Sequence, residues 1–268
     1  MTRPRPRPLA VVTGAARGIG AAVAVTLAAR GWDLVLGDVA SPGTVEGLPY
    51  ALADATDLDR VAVECRSAGV DVVTAVCDVR DATAVAALVG AVGERPLHAA
   101  VAVAGIMAGS GPAWEQDDAA FADDLAVNLY GVVNLARAAV PRLLAAPDPR
   151  RGRFVAVVSS AGAKGLPQLA SYVASKHAAL GYVRALAADL APHGVTANAV
   201  LPGSTRTALL QRTADVYGLD DVEEFARHQR LQRLLDPTEI ADAVAYLCSE
   251  FAGAVTGTAL AVDGGFVG

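Results

Sequence analysis

The sequence predicts an α/β fold of the single-domain, Rossmann-like type, with a doubly wound parallel sheet of about seven strands. The first observation behind this prediction is that short apolar runs alternate with longer amphipathic segments along all 268 residues. The second is the composition, 53% hydrophobic, which suits a parallel sheet covered by helices on both faces. No internal repeat and no interior linker divides the chain. We therefore expect one domain over residues 1–268, with residues 1–8 as a disordered tail.

The individual elements follow from these patterns in chain order. Seven apolar runs are predicted as strands: Leu9–Thr13, Asp33–Gly37, Val72–Cys77, His98–Val103, Arg153–Val158, Val195–Leu201 and Thr258–Val262. Five amphipathic segments are predicted as helices: Gly18–Arg30, Ala82–Val92, Asp117–Ala146, Tyr172–Ala191 and Thr238–Glu250. Two segments interrupt the alternation. We expect residues 206–236 to form a substrate lid, whereas residues 41–59 are either a binding loop near the cofactor or a passive surface excursion.

Composition and spacing exclude several classes of function. The net charge of −6 argues against a nucleic-acid or anionic-membrane partner. No uninterrupted apolar stretch reaches the ~18 residues of a membrane span, and the apolar run after the tail is short. We therefore expect neither a membrane span nor a signal peptide. The three cysteines and four histidines lack ligand spacing, so we expect neither a disulfide nor a metal site. Free thiols fit a reducing compartment, which predicts a cytoplasmic protein.

A glycine-rich turn follows the first predicted strand and opens the first predicted helix. It reads Thr-Gly-Ala-Ala-Arg-Gly-Ile-Gly over residues 13–20. Glycines let the backbone approach a pyrophosphate, and the helix N-terminus offers unpaired N–H groups with a partial positive charge. Because the motif stands in its required context of strand, turn and helix, it predicts a dinucleotide site. The residues assigned to this turn are Gly14, Arg17, Gly18, Ile19 and Gly20.

Asp38, at the end of the second predicted strand, indicates NAD rather than NADP. A carboxylate at this position accepts hydrogen bonds from the adenosine ribose hydroxyls and repels a 2′-phosphate. Arg17 keeps NADP open as an alternative, because it lies near the same place and can pair with a phosphate. The ends of the next two strands complete the expected cofactor site with Asp78 and Val79 near the adenine and Ala104 and Gly105 beneath the cofactor.

Tyr172 and Lys176 are the strongest candidates for catalysis. They stand four residues apart at the start of a predicted helix and therefore share one face. A phenol with an ordinary pKa of about 10 is a poor base near neutrality, and a nearby ammonium favours the phenolate. Only two of the twenty-two basic residues are lysines, so arginine serves elsewhere and Lys176 indicates a need for lysine chemistry.

Ser159 and Asn128 complete this candidate group. Ser159 ends the fifth strand, on the edge of the sheet where ligands bind, and Asn128 lies inside the preceding long helix. Ser159 can hold a substrate oxygen against the tyrosine, and Asn128 can hold a water that links Lys176 to solvent. The four residues predict proton transfer coupled to hydride transfer between a secondary alcohol and a ketone.

Together these residues resemble the short-chain dehydrogenase/reductase family along essentially the whole chain. The glycine turn, the asparagine, the serine thirteen residues before the tyrosine, the YxxxK pair and the closing Asp-Gly-Gly occur in the family's order. The resemblance implies Tyr172 as general acid/base, Lys176 as ribose ligand and tyrosine activator, Ser159 as ligand of the substrate oxygen and Asn128 as the fourth member. It also implies that four residues flank the nicotinamide: Pro202, Gly203, Thr205 and Thr207.

The chain departs from the family pattern at one place and is ambiguous at another. The family's Asn-Asn-Ala-Gly motif is Ala-Val-Ala-Gly here, over residues 102–105, so contacts made by the two amides must be replaced or absent. Ser160 adjoins Ser159, and we assign the substrate contact to Ser159 because its spacing to Tyr172 matches the family.

Several departures resemble the mycofactocin-coupled dehydrogenases of this family. They are the enlarged segment after Asp38, the Ala-Val-Ala-Gly run, and the stretches 203–207 and 217–225. The resemblance implies that residues 41–59 cover an NAD that does not exchange freely and that electrons leave through the mycofactocin redox carrier. The family also implies a homo-oligomer, with a homotetramer favoured over a dimer.

Two other functions remain open at the level of sequence. One is an NADP-linked ketoreductase of natural-product metabolism whose cofactor exchanges freely. The other is a non-catalytic redox sensor that binds the dinucleotide and presents a surface to another protein. The intact pair of Tyr172 and Lys176 argues against the sensor, because binding alone requires only the glycine turn.

Overall fold

The computed structural model describes residues 7–41, 43, 45–46 and 48–267, so residues 1–6 of the predicted tail lie outside the described part. The strands are β1 (Leu9–Thr13), β2 (Asp33–Asp38), β3 (Val72–Val76), β4 (Ala99–Ala102), β5 (Arg153–Val157), β6 (Thr196–Pro202) and β7 (Ala259–Val262). They form one parallel sheet in the order β3-β2-β1-β4-β5-β6-β7. The predicted doubly wound Rossmann-like sheet is confirmed, and each predicted strand end lies within one residue of the observed one.

Helices cover both faces of this sheet. They are α1 (Gly18–Ala29), α2 (Ala55–Ser67), α3 (Ala82–Gly90), α4 (Asp118–Leu125), α5 (Gly131–Leu144), α6 (Ala170–Leu190), α7 (Ala208–Tyr217) and α8 (Pro237–Cys248). One core layer packs α3, α5 and α6 against the sheet, and the other packs α1, α2 and α8 against the opposite face. Among the described residues, no helix is both long and apolar enough to cross a bilayer.

Two predictions of helical structure need correction. The continuous helix predicted over Asp117–Ala146 is interrupted by a π-helical turn at Ala126–Tyr130, which separates α4 from α5. The insertion predicted over residues 41–59 ends earlier, because Asp54 caps α2. Its carboxylate accepts the N–H of Asp57, and the Asp57 carboxylate accepts the N–H of Asp54. We call residues 41–54 the insertion below.

The segment after β6 is largely helical, as its pattern predicts. It contains α7 and a 3₁₀ stretch over Val222–His228. Both pack on a small apolar cluster formed by Leu210, Ala214, Phe225 and Leu234. We call residues 206–236 the lid segment.

Candidate active site

A cavity of about 1080 Å³ opens at the carboxyl ends of the strands. In a doubly wound sheet this edge is where ligands bind. Apart from Asn128, all the predicted site residues line the cavity, from the glycine turn to Thr207. The structure therefore brings together residues spread over nearly the whole sequence, and Asn128 lies directly behind the cavity wall.

The glycine turn is shaped by close backbone approach. Gly14 has a φ of +68°, and a Cβ there would lie 2.5 Å from the backbone nitrogen of Ala104. A Cβ on Gly20 would lie 1.8 Å from the carbonyl oxygen of Gly14. No side chain caps α1, and its first turn holds no acidic residue, so its N–H groups are free to receive an anion. The turn fits the pyrophosphate of a dinucleotide.

Asp38 joins the glycine turn to the end of β2. One carboxylate oxygen accepts the N–H of Ala16 at 2.9 Å, and the other accepts the N–H of Val39 at 2.8 Å. Each oxygen retains acceptor capacity, because a carboxylate offers about four lone-pair sites. The Arg17 guanidinium donates to the carbonyl of Ala51 in the insertion at 2.8 Å. Asp38 is thus fixed with its negative charge at the cavity, while Arg17 is tied to the insertion.

The cavity wall after β3 is held by two polar groups. Burial alone would raise the pKa of Asp78, but hydrogen bonds and charge from Arg80 outweigh it and lower that pKa. The two side chains meet at 2.7 Å. The buried Asn134 donates to the carbonyl of Val79 at 2.9 Å, a contact that the sequence analysis missed. These bonds fix the segment where we expect the adenine.

The end of β4 forms the floor of the cavity. The backbone N–H of Val103 donates to the Thr13 hydroxyl at 3.3 Å, which links this end of β4 to β1 without the family's amide side chains. A Cβ on Gly105 would lie 3.1 Å from the Lys176 Nζ and 3.2 Å from the Asn128 Oδ1. A side chain at residue 105 would therefore require Lys176 or Asn128 to shift by a few tenths of an ångström.

Ser159, Tyr172 and Lys176 form one group, in which Tyr172 and Lys176 are buried and Ser159 is partly exposed. The Tyr172 side chain is hydrogen-bonded to Ser159, which favours Ser159 over Ser160 in the ambiguous register. The Lys176 Nζ lies 5.7 Å from the centre of the Tyr172 ring. Tyr172 is 7% exposed and Lys176 is 4% exposed. The structure therefore places these three predicted site residues next to one another.

Burial dominates the protonation of this group. It raises the pKa of Tyr172 well above that of a free phenol, although the hydrogen bond from Ser159 lowers it in part. Burial also lowers the pKa of Lys176 to about 8. The two shifts have one cause, because removal from water penalises the phenolate and the ammonium alike. In the protein alone, the ammonium does not outweigh this effect at Tyr172, contrary to the expected lowering.

Asn128 lies in the middle of the π-helical turn. Its Oδ1 accepts the N–H of Ile106, and its Nδ2 donates to the Ile106 carbonyl and to the Ser175 hydroxyl, each at 2.9 Å. Both amide hydrogens are therefore used within the protein. The side chain therefore links the segment after β4 to α6. Because both amide hydrogens are occupied, a water between Lys176 and solvent must donate to an acceptor such as the remaining lone pair of the Asn128 Oδ1.

The residues after β6 cross the cavity opposite the glycine turn. The Thr205 hydroxyl donates to the Gly203 carbonyl at 3.0 Å. The Thr207 hydroxyl accepts the N–H of Leu210 and caps α7. A Cβ on Gly18 would lie 3.3 Å from the Thr207 methyl group. The predicted nicotinamide segment therefore packs directly on the pyrophosphate turn.

The far end of the cavity is apolar. Side chains from the segment after β4, the loop before α6 and the lid segment meet around Tyr172: Met107, Leu166, Leu169, Leu209, Val216 and Tyr217. The Tyr217 hydroxyl donates to the Pro167 carbonyl at 2.9 Å and joins the lid segment to that loop. This end can receive a largely apolar molecule.

The insertion also reaches the cavity. Val45 and Ala53 are buried, and Leu52 packs near them at the same edge. The Tyr50 hydroxyl accepts the N–H of Met107 at 3.0 Å. This contact brings Tyr50 close to Tyr172. No motif in the sequence marks Tyr50 as a site residue. The insertion therefore lines the cavity and is joined to the segment after β4.

Known proteins resemble this chain in both sequence and fold. A family model described as enoyl-(acyl carrier protein) reductase matches residues 14–267. The chain is 38% identical over 261 residues to cis-4-hydroxycyclohexanecarboxylate dehydrogenase of Sinomonas cyclohexanicum, with 96% of each chain covered. It is 33% identical over 272 residues to (−)-trans-carveol dehydrogenase of Rhodococcus erythropolis, again with 96% of each covered. Carveol dehydrogenase of Mycobacterium avium in complex with NAD has a TM-score of 0.91 at 32% identity and 97% coverage of each chain.

These likenesses extend over nearly the full length of this chain and of its relatives. They confirm the prediction of an NAD-dependent enzyme that acts on alcohols. The family model and the relatives together give the classification that the glycine turn and the YxxxK pair predict. The chain belongs to the short-chain dehydrogenase/reductase family.

Proposed function

We propose that this protein interconverts a small, largely apolar secondary alcohol and its ketone with NAD, and that Tyr172 is the general acid/base. The observation that carries the proposal is the buried pair Tyr172 and Lys176, with Ser159 beside Tyr172, between a dinucleotide-shaped turn and an apolar pocket. Two relatives are named for alcohol substrates, carveol and cis-4-hydroxycyclohexanecarboxylate, which supports this substrate class.

Each polar residue has a defined task in this mechanism. NAD, when bound, supplies the hydride acceptor. In alcohol oxidation, the Ser159 hydroxyl orients the substrate oxygen, and the Tyr172 oxygen takes the proton from the substrate hydroxyl. The Lys176 ammonium stabilises the phenolate that precedes this transfer. Because burial raises the pKa of Tyr172, the phenol is the resting form and is ready to protonate an alkoxide during ketone reduction.

The insertion supports a proposal about cofactor exchange. It is held by Arg17 from the glycine turn and by the N–H of Met107 from the segment after β4. We infer that it covers NAD so that the cofactor stays bound between turnovers and is reoxidised through the mycofactocin carrier. We also propose that the enzyme is cytoplasmic and that it forms a homotetramer. Light scattering distinguishes a tetramer from a dimer.

One preparation tests the activity and the trapping of NAD separately. The protein is purified without added cofactor and dialysed at length, and bound NAD is then measured. We expect NAD to remain bound. Addition of a cyclic secondary alcohol should then convert the bound NAD to NADH in a single turnover. Complete loss of NAD followed by steady turnover on free NAD would contradict trapping and preserve the dehydrogenase. No NADH with any alcohol, and no oxidation of NADH with any ketone, would contradict the activity itself.

A further inference from the structure

A buried carboxylate stands behind the catalytic group and has no part in the mechanism above. Asp124, near the end of α4, has an exposed fraction of 0%. One of its oxygens accepts the Ser171 hydroxyl at 2.6 Å, and the other accepts the N–H of Ala108 at 2.9 Å. The N–H of Gly109 donates to it as well. Burial of a charge is strongly unfavourable unless hydrogen bonds or counter-charges compensate.

These hydrogen bonds fasten two walls of the active site to each other. Ser171 immediately precedes Tyr172, and its N–H donates to the Gln116 side chain at 2.9 Å. Residues 108 and 109 belong to the segment that follows β4. A Cβ on Gly109 would lie only 2.4 Å from the Ser171 Oγ, so the segment and the first turn of α6 are in tight contact. Asp124 thus connects the helical turn that carries Tyr172 to the floor of the cavity.

The charge of Asp124 also acts on the catalytic pair. Burial raises the pKa of Tyr172, and the charge of Asp124 adds to that rise. Burial lowers the pKa of Lys176, and the charge of Asp124 offsets part of that fall. The groups that face it are Tyr172 and Lys176 on α6 and Tyr50 in the insertion. Two cations, Arg17 in the glycine turn and Arg212 in α7, act on Tyr50 in the opposite direction. Burial raises the pKa of Asp124 above its ordinary value, and its three hydrogen bonds and Lys176 offset only part of that rise.

We propose that Asp124 is a positioning residue whose buried carboxylate holds the turn of Tyr172 in place and sets the pH range in which Tyr172 and Lys176 work. The proposal rests on the proposed function for its meaning in catalysis. Its electrostatic part does not depend on turnover, because Lys176 titrates whether or not a substrate reacts. The sign is definite: loss of a negative charge makes a nearby ammonium easier to deprotonate.

The direct test is a titration of the chain's two lysines by NMR with isotope at Cε. Lys164→Arg assigns the two signals, and the exposed Lys164 serves as an internal control. In the wild type we expect Lys176 to titrate with a pKa of about 8. Asp124→Asn, which keeps the size of the side chain, is expected to lower that pKa by ~1 unit and to leave Lys164 unchanged. Asp123→Asn is the matched control, because this neighbouring carboxylate acts on Arg80 instead.

Kinetics supply the catalytic readout. The acidic limb of the pH profile of kcat/KM for alcohol oxidation is expected to move to lower pH by ~1 unit in Asp124→Asn, because Tyr172 then deprotonates more readily. A folded Asp124→Asn protein with an unmoved Lys176 titration would overturn the proposal. Asp124→Ser is a second neutral variant, and failure of both to fold would show a structural role only and overturn it too. Absence of wild-type turnover would contradict the proposed function while the NMR result still decides this inference.

Discussion

At the scale of single residues, several polar side chains of the site are fixed by hydrogen bonds to backbone N–H groups. Asp38 illustrates this, because both of its oxygens accept backbone N–H groups and still face the cavity. A carboxylate held in this way recognises two ribose hydroxyls without a loss of rotamer freedom on binding. It also disfavours a 2′-phosphate by like charge.

Asp38→Ala is therefore expected to weaken NAD binding by roughly 10- to 100-fold, since hydrogen bonds to a charged group contribute about 1.5–3 kcal/mol. It should also narrow the preference for NAD over NADP. Titration of both cofactors by fluorescence measures the two affinities. Asp59→Ala, which removes an exposed carboxylate on α2, should change neither. An Asp38→Ala protein that prefers NAD as strongly as the wild type would rule out Asp38 as the determinant.

At the scale of elements, the insertion and the π-helical turn distinguish this chain from a plain alternation of strands and helices. The insertion packs Val45 and Ala53 into the molecule and places the Tyr50 hydroxyl on the segment after β4. The π-helical turn presents Asn128 to that same segment. Both elements therefore support the segment that follows β4.

Tyr50→Phe tests the role of the insertion in retaining the cofactor. It removes one hydrogen bond to a buried N–H, which is worth about 1 kcal/mol. We expect NAD to dissociate about 5-fold faster, as followed by stopped-flow exchange of labelled NAD. The identical change at Tyr246, a half-exposed residue on α8, is the control and should leave the rate unchanged. An unaltered dissociation rate in Tyr50→Phe would show that the insertion does not restrain NAD through this contact.

The sequence predicted these elements unevenly, for identifiable physical reasons. Strands buried on both faces read as apolar runs, and all seven were found. Helix α2 was not predicted, although its apolar face is formed by Leu58, Val61, Ala62 and Cys65. The Pro and Gly residues that precede it are typical of a loop, and the predicted loop was extended into the helix. The π-helical turn was not predicted, because it is a single turn flanked by α-helix on both sides and the whole stretch therefore resembles one long helix.

At the scale of the whole molecule, topology explains why so much of the site could be predicted. Parallel strands bring their carboxyl ends to one edge, so residues at strand ends lie together although they are far apart in sequence. Asp38, Gly105 and Ser159 meet for this reason. Asp124 and Tyr50 could not be predicted in this way, since their places depend on how a helix and an irregular segment pack in three dimensions.

The central claim is that the buried phenol of Tyr172 transfers the proton, and Tyr172→Phe tests it most directly. The variant keeps the ring and removes one oxygen, so the rate of NADH formation and the affinity for NAD are measured on the same protein. The account predicts a loss of kcat of at least ~100-fold, the usual contribution of a general acid/base, with NAD affinity within about 2-fold of the wild type. Tyr246→Phe should match the wild type in both. A Tyr172→Phe protein whose kcat falls by less than ~10-fold would contradict the account.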